Sequence, residues 1–305
     1  MPDTILVGID TRRRQDARDA IALAVRLASI AGAELLAVTV VAPSRGLDTA
    51  QHEAELTREI MSVAGRIGVT PPFEARAIQA TSPARGLHEL VGRMSAVALV
   101  IGPSLPDPDR GWMAGSVADL LLHGSASPVV IAPSGYFDRA GDPLGVVGVG
   151  FTASAEGRAA LRGAQEIAAR ADADLRVITV AEPFLFSHIA MGREHEGLDV
   201  ERALMQDARA ALEAAVSALP TELRADARLL EGSPVATLRR LSGELDLLVL
   251  GSRSYGPPHV VLLGPVSREL VRSAACPVMV MPRASGPERA AAAAGGVPVS
   301  IDQHA

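Results

Sequence analysis

Residues 127–133 read Ser-Pro-Val-Val-Ile-Ala-Pro, and residues 276–282 read Cys-Pro-Val-Met-Val-Met-Pro. Each stretch is a short apolar run with a proline on either side, which is typical of a buried strand. The same offset relates Leu99-Val100-Ile101-Gly102 to Leu248-Val249-Leu250-Gly251. Repetition at a fixed offset indicates two copies of one domain within the 305 residues.

The repeat also covers the beginning of each half. Residues 16–43 align without gaps on residues 156–183, so that Ala33 corresponds to Ala173 at an offset of 140. We therefore predict a first domain over 1–135, a linker over 136–143 and a second domain over 144–283. The remaining residues, 284–305, are rich in Ala, Gly and Pro without periodicity, which predicts a disordered tail.

Each half alternates apolar runs with amphipathic stretches. Ile5-Leu6-Val7-Gly8-Ile9 is continuously apolar, as expected of a strand buried on both faces. Residues 16–31 place apolar side chains at helical spacing, and Phe73–Gln79 alternates as a strand does. Regular alternation of strand and helix predicts an α/β fold in which each half is a Rossmann-like, open, parallel five-stranded sheet with helices on both faces.

Composition limits the possible partners and compartment. The chain has 29 Lys and Arg against 35 Asp and Glu, without a basic run of five, which argues against duplex nucleic acid and anionic membranes as main partners. The single cysteine, Cys276, borders an apolar strand and is interpreted as a buried structural thiol. Since no apolar run approaches the roughly 20 residues of a membrane helix and the N-terminus lacks a signal-peptide pattern, we expect a soluble, cytoplasmic protein.

The candidate ligand site lies where ligands bind in open parallel sheets, beyond the carboxyl ends of the strands. In the first half Asp10 follows the first strand and Gly102 follows the fourth. Gly115-Ser116-Val117 then opens a helix, whose free amides and positive dipole suit a phosphate group. The other interpretation of Ser116 is an ordinary helix cap.

Together these motifs resemble the universal stress protein family, with two family domains in tandem over about residues 1–283. The resemblance is carried by Val7-Gly8-Ile9-Asp10, by Gly102 with Gly115-Ser116, and by the Ser-Pro-Val-Val of residues 127–130. It implies an adenine-nucleotide alpha-hydrolase-like fold. Members that bind ATP carry Gly-x2-Gly-x9-Gly-Ser/Thr after strand four and an Asp after strand one.

In the first half the resemblance assigns roles to residues on three strands and one helix. It implies that Asp10 holds the adenosine part of ATP and that the backbone at Val40 lies against adenine. Gly102, Gly115-Ser116 and Val117 would surround the phosphates.

The motif in the first half is nevertheless incomplete. Leu105 replaces the second glycine, and residues 103–109 contain three prolines and two aspartates. Proline has no amide hydrogen to donate, and aspartate repels a triphosphate.

The second half departs further from the motif. The resemblance places Gly251 and Gly264 as motif glycines, Arg253 near a phosphate and Ser267 at a family serine. Ser254 replaces the second glycine, and Pro265 replaces the Ser/Thr. At the constant offset of 140, Gly150 falls where the family has its Asp. Losing two or three charge-assisted hydrogen bonds of about 1.5–3 kcal/mol each would weaken binding by orders of magnitude.

Three functions remain open at this stage. The first is a stress-response or regulatory protein that binds ATP in its first half, with binding weakened or lost in its second. The second is a scaffold whose nucleotide pockets have decayed. The third, a weak ATP hydrolase, is disfavoured because Asp107 and Asp109 are its only candidate bases. We expect no metal site, since His188 and His195 belong to a charged stretch without ligand spacing.

The family resemblance also predicts how the halves meet. Strand five of one domain commonly pairs with strand five of another, so residues 129–131 and 278–280 would pair within this chain. The resulting intramolecular pseudo-dimer predicts that Met279 is buried between the halves. A further homodimer of the whole chain is possible, and protein partners stay open.

Overall fold

The computed structural model describes residues 3–43, 49–94, 96–103, 117–182, 194–252, 261 and 263–282; for residues 117, 119 and 194–201 only the backbone is described. The first half alternates strands and helices as follows: β1 Thr4–Ile9, α1 Arg14–Ala31, β2 Glu34–Val41, α2 Thr49–Ile67, β3 Phe73–Gln79, α3 Pro83–Met94, β4 Ala98–Ile101, α4 Val117–Leu122 and β5 Val129–Ile131.

A short helix, α5 Tyr136–Arg139, connects this half to the second. The second half repeats the order: β6 Val146–Gly150, α6 Ala155–Ala171, β7 Asp174–Ala181, α7 Glu194–Ser217, β8 Ala225–Glu231, α8 Pro234–Leu241, β9 Leu247–Leu250, α9 Pro265–Ser273 and β10 Val278–Val280. The predicted α/β class with helices around a mostly parallel sheet is therefore confirmed.

The strands of the two halves form one continuous sheet. Over the described residues the order is β3-β2-β1-β4-β5-β10-β9-β6-β7-β8, a ten-stranded sheet. Pairing is parallel within each half and antiparallel only between β5 and β10. The two predicted five-stranded sheets are thus joined edge to edge. Because the joint is antiparallel, the carboxyl ends of the strands point in opposite directions in the two halves.

The joint itself consists of three residue pairs. Met279 lies opposite Val130, flanked by the pairs Val278–Ile131 and Val280–Val129. Met279 is only 5% exposed, so its predicted burial between the halves is confirmed. Branched apolar side chains on both strands, together with the flexible Met279 on β10, are suited to a position covered on both faces.

The hydrophobic core is also shared between the halves. One layer, on the side of α1, α2 and α6, includes Ile21 of the first half and Leu161 of the second. The layer on the opposite side includes Leu99 and Leu248, under α3 and α8. Each layer is continuous across the β5–β10 joint, so burial of apolar surface holds the two halves together.

The connecting segment is folded onto α1 of the first half. Asp19 is fully buried and accepts hydrogen bonds from the backbone nitrogens of Gly135 at 2.9 Å and Phe137 at 2.8 Å. Arg26 donates to the carbonyl of Ala140 at 2.8 Å. These bonds anchor α5 at both of its ends. The residue of α6 that corresponds to Asp19 is Ala159, which cannot make such bonds.

Phe137 is held by two cations. The guanidinium of Arg66 lies 4.5 Å from the centre of its ring, and that of Arg18 lies 5.7 Å away. Both distances fall within the range in which a cation is attracted to an aromatic face. The region predicted as a linker therefore packs against the first half through specific contacts.

We predict that Met279→Ala destabilises both halves together. Removing a buried Met side chain costs about 2–5 kcal/mol, and the lost contacts belong to a layer shared by both halves. Urea unfolding followed by fluorescence and circular dichroism should show a lower midpoint in one transition. Met61→Ala is the matched control, because Met61 is 53% exposed and its truncation should cost less than about 0.5 kcal/mol. Equal effects of the two substitutions would contradict the shared core.

We also predict a pH-dependent contribution from Asp19. Desolvation raises the pKa of Asp19 above its ordinary value, although the amides of Phe137 and Gly135 favour the charged form. The stability linked to its protonation is present below the ordinary pKa and is lost as pH rises through the raised pKa of the folded state. The free energy of unfolding of the wild type, relative to that of Asp19→Asn, should therefore fall over this interval.

The measurement is urea unfolding of both proteins at a series of pH values. Asp142→Asn serves as control, since Asp142 is exposed and its replacement should change stability little throughout. If the difference in unfolding free energy between the wild type and Asp19→Asn stays constant with pH, Asp19 is charged alike in the folded and unfolded chains.

Candidate functional site

Three of the residues predicted to bind nucleotide lie together at one edge of the sheet. Strand β1 pairs with β2 through Ile9 and Thr39, and with β4 through Gly8 and Ile101. The next residues along these strands place Asp10 level with Val40, and Gly102 beside Ile9. Neighbouring strands are about 4.8 Å apart, so Asp10, Val40 and Gly102 share the carboxyl edge of three adjacent strands. Val117 is the first residue of α4, while Gly115 and Ser116 lie outside the described residues.

Asp10 is paired with a neighbouring arginine. Its carboxylate accepts hydrogen bonds from Arg12 Nε at 2.8 Å, from an Arg12 terminal nitrogen at 3.1 Å and from the Arg12 backbone nitrogen at 3.1 Å. These bonds hold the pKa of Asp10 below its ordinary value. The side chains are 43% exposed for Asp10 and 82% for Arg12, so both remain accessible to a ligand.

Gly102 has a structural reason to be glycine. A Cβ atom at this position would lie 2.8 Å from the carbonyl oxygen of Asp16, in the first turn of α1. In the second half, a Cβ at Gly251 would lie 2.7 Å from the carbonyl oxygen of Glu156, in the first turn of α6. The first motif glycine is thus required in both halves for the helix to approach the strand end closely. Its presence alone is no evidence of a phosphate ligand.

The strand register corrects one sequence-based assignment. Gly150 pairs with Ile178 and Leu250, whereas Gly8 pairs with Val38 and Ile101, the residues that correspond to them in the first half. Gly150 is therefore the counterpart of Gly8. The assignment of Gly150 to the Asp position was wrong, and the counterpart of Asp10 is Thr152.

The physical reason is a shorter loop in the second half. Gly102 approaches the carbonyl of Asp16, and Gly251 approaches that of Glu156 in the same way. Asp16 and Glu156 are therefore equivalent positions, at the offset of 140. Since Gly8 and Gly150 differ by two residues more, the loop between the first strand and the first helix is two residues shorter in the second half. The constant offset held for α6 but not for β6.

The shortened loop presents hydroxyl groups where the first half presents charges. Thr152 Oγ1 lies 3.0 Å from Ser154 Oγ, and Ser154 accepts a hydrogen bond from the backbone nitrogen of Gly157 at 3.0 Å. Ser154 is thereby the N-cap of α6. A side chain that caps its own helix is committed to a structural role.

The other predicted residues of the second half are partly brought together. Ser267 is buried and donates to the carbonyl oxygen of Gly251 at 3.4 Å, which ties the first turn of α9 to the end of β9. Gly264 is the N-cap residue of α9, followed by Pro265 at the first helical position. Proline offers no amide there, so the helix start lacks one donor for an anion. Arg253 lies outside the described residues.

Two residues of the site were missed from the sequence. Arg12 was not considered as a partner of Asp10, although the run Arg12-Arg13-Arg14 directly after β1 is visible in the sequence. Thr152 was missed because its assignment required the strand register. A search for charged residues within two positions of Asp10 would have found the arginine.

Other chemistry is limited in the described part of the chain. Within it, three or more His, Cys, Asp or Glu side chains do not gather into a cluster fit for a metal ion. Cys276 is buried, and desolvation raises the pKa of its thiol to about 12, so that it stays protonated at neutral pH. Across the described residues, every helix is too short or too polar to span a membrane.

The fold and the position of the site define a class of protein: a two-domain α/β chain with candidate nucleotide sites at the carboxyl edges of Rossmann-like sheets. Sequence comparison agrees, since the family model described as "Universal stress protein family" matches residues 1–133 and again residues 145–282. The chain therefore belongs to the universal stress protein family and carries two of its domains.

Relatives and solved structures extend this comparison. The chain is 29% identical over 288 residues to "Universal stress protein Rv2319c" of Mycobacterium tuberculosis H37Rv, covering 86% of this chain and 94% of that protein. A universal stress protein structure from Archaeoglobus fulgidus DSM 4304 has a TM-score of 0.59 at 17% identity, covering 92% of this chain and 98% of that one. The functionally unknown protein PA1789 from Pseudomonas aeruginosa PAO1 has a TM-score of 0.54 at 16% identity, covering 95% of each chain. These two likenesses concern the fold.

We predict that Gly102→Ala and Gly251→Ala each destabilise the protein without any ligand. The added methyl group meets a backbone carbonyl, which cannot move aside as a side chain could, and overpacking of this kind costs about 1–3 kcal/mol. Gly92→Ala in α3 is the control, because a Cβ there has open space and alanine favours a helix by about 0.5–1 kcal/mol. Thermal unfolding of the three variants tests this prediction. Unchanged melting temperatures for Gly102→Ala and Gly251→Ala would show that the close approach of helix and strand does not require glycine.

Proposed function

We propose that the first half binds ATP at the carboxyl edge of β1, β2 and β4 and that the protein acts as a nucleotide-dependent regulatory protein of the stress response in the cytoplasm. The adenosine part would be held by Asp10 and by the backbone of β2 at Val40. The phosphates would lie between Gly102 and the start of α4, near Ser116.

The observation that carries this proposal is the pairing of Ile9 with Thr39, because it places the next residues, Asp10 and Val40, side by side at the strand ends. A carboxylate beside the exposed end of a neighbouring strand offers acceptors for ribose hydroxyls and backbone groups for a base. Asp10 is 43% exposed, so a ligand can reach it. Membership of the family supports the same location, which the resemblance had assigned to Asp10, Val40 and Gly102.

The second half is proposed to bind ATP weakly or not at all. Thr152 stands at the position that corresponds to Asp10. It has a single neutral hydroxyl group in place of the two carboxylate oxygens that could accept hydrogen bonds from a ribose. Pro265 removes an amide from the start of α9, and the hydroxyl of Ser267 is engaged with Gly251. Each difference removes a donor or an acceptor that a nucleotide would use, and their effects on affinity multiply.

A second function is favoured by a separate observation. Contact with Asp16 and Glu156 is sufficient to explain why Gly102 and Gly251 are glycines. If both sites are vestiges, the ten-stranded unit would act as a scaffold for protein partners. ATP hydrolysis has less support, since Asp107 and Asp109, the bases considered for it, lie outside the described residues.

Isothermal titration of ATP with Mg²⁺ tests the proposal directly. We expect one site per chain with micromolar affinity in the wild type. Asp10→Ala should weaken binding at least tenfold, because the carboxylate that accepts the ribose hydroxyls is lost.

Thr152→Ala is the matched control, since it changes the register-equivalent residue in the second half. Its affinity for ATP should stay within twofold of the wild type. Two sites of equal affinity, or an equal loss in both variants, would contradict the assignment to the first half. Absence of heat and of a thermal shift up to millimolar ATP would favour the scaffold.

A further inference from the structure

The segment after β1 is the most basic stretch near either candidate site. Arg12, Arg13 and Arg14 follow Asp10 and Thr11, and all three arginines are exposed. Arg13 lies 3.5 Å from the carboxylate of Asp16, whereas Arg12 forms an ion pair with the carboxylate of Asp10 at 2.8 Å. The equivalent loop of the second half reads Thr152-Ala153-Ser154 and has no charged residue. A run of three arginines directly after the first strand therefore occurs in the first half only.

Arg12 competes with any ligand for Asp10. A carboxylate offers about four lone-pair positions, and Arg12 occupies three of them through its side chain and its backbone nitrogen. A ribose that is to donate to Asp10 must displace at least part of this pairing. The pair is bidentate, but solvent screens it because both side chains are exposed, so the displacement costs about a few-fold in affinity.

The chemistry of the ligand decides whether that cost is recovered. A guanidinium released from Asp10 binds phosphate oxygens well, through paired N–H groups. A nucleotide with phosphates thus recovers the lost pairing, while a nucleoside does not. The sequence of the loop after β4 strengthens this argument, because its three prolines and two aspartates leave few donors for a phosphate.

We propose that Arg12 is the specificity-determining residue of the first site. Its guanidinium pairs with Asp10 when no ligand is bound, and it pairs instead with the phosphates when an adenine nucleotide binds. The site then selects nucleotides with phosphates against adenosine. This inference rests on the proposed function of the first half. It also gives a role to the basic run that stands beside an incomplete phosphate loop.

The test compares ATP and adenosine on the full-length protein and its variants by isothermal titration. In Arg12→Ala we expect affinity for ATP to fall about tenfold, and affinity for adenosine to rise several-fold because Asp10 is free. Arg12→Lys keeps the charge without the paired geometry and should lie between the wild type and Arg12→Ala for ATP. Arg58→Ala is the control, since it removes an exposed arginine from α2 that donates to Ala54.

A second readout follows Arg12 directly. The Nε–H resonance of Arg12, assigned by its loss in Arg12→Lys, should shift on addition of ATP and much less on addition of adenosine. The affinity changes expected in Arg12→Ala have opposite signs for ATP and adenosine. A merely structural role of Arg12 would instead weaken the binding of both ligands.

The two proposals fail in different ways. If the wild type binds ATP with dependence on Asp10, but Arg12→Ala changes both ligands alike or neither, the role of Arg12 is overturned and the nucleotide site stands. If the wild type binds neither ATP nor adenosine, the proposed function falls, and the role of Arg12 falls with it.

Discussion

The antiparallel pairing of β5 with β10 is the interaction on which the rest of the molecule depends. Both strands are only three residues long and wholly apolar, and either would be an exposed, aggregation-prone edge without the other. Their pairing removes two edges and makes both hydrophobic layers continuous. It also fixes the halves in opposite orientations, so that the candidate sites lie at opposite edges of the sheet. The described contacts between the halves include the shared core, the docked segment that contains α5, the hydrogen bond from Arg170 to the carbonyl of Ala31, and the backbone bonds that join Val261 to Gly124 and Ser125.

Packing and ligand binding make overlapping demands at the strand ends. Gly102 and Gly251 are needed where the first helix of each half crosses the end of the fourth strand. A motif glycine can therefore persist after a ligand is lost, because the fold itself requires it. Asp10 and Arg12 are different, since both are exposed and their pairing contributes little to stability. The presence of a charged pair at a strand end is thus more informative about binding than the presence of the glycine.

Much of the fold could be predicted from the sequence, because it follows from local patterns. Phe73–Gln79 alternates visibly and forms β3 over the predicted residues. Burial of Met279 was predicted from the pairing of the two fifth strands that the family resemblance implies. The register of β6 could not be predicted, because glycines at positions 148 and 150 fit Gly8 equally well by eye. The role of Asp19 was equally inaccessible, since its amide partner at Gly135 is 116 residues distant. At the site, the positions of Asp10 and Gly102 were predictable from topology and that of Val40 from the family resemblance, whereas the pairing of Asp10 with Arg12 depends on side-chain geometry.

Covalent linkage of the two copies has a consequence for how the sites can change. In an assembly of two identical chains, every substitution is inherited twice, and a mutation that damages one pocket damages the other as well. Here each copy has its own codons, so the loop after β6 can be two residues shorter than the loop after β1 and can lack its arginines. The two copies therefore share one backbone plan, while a substitution in one pocket leaves the sequence of the other pocket unchanged.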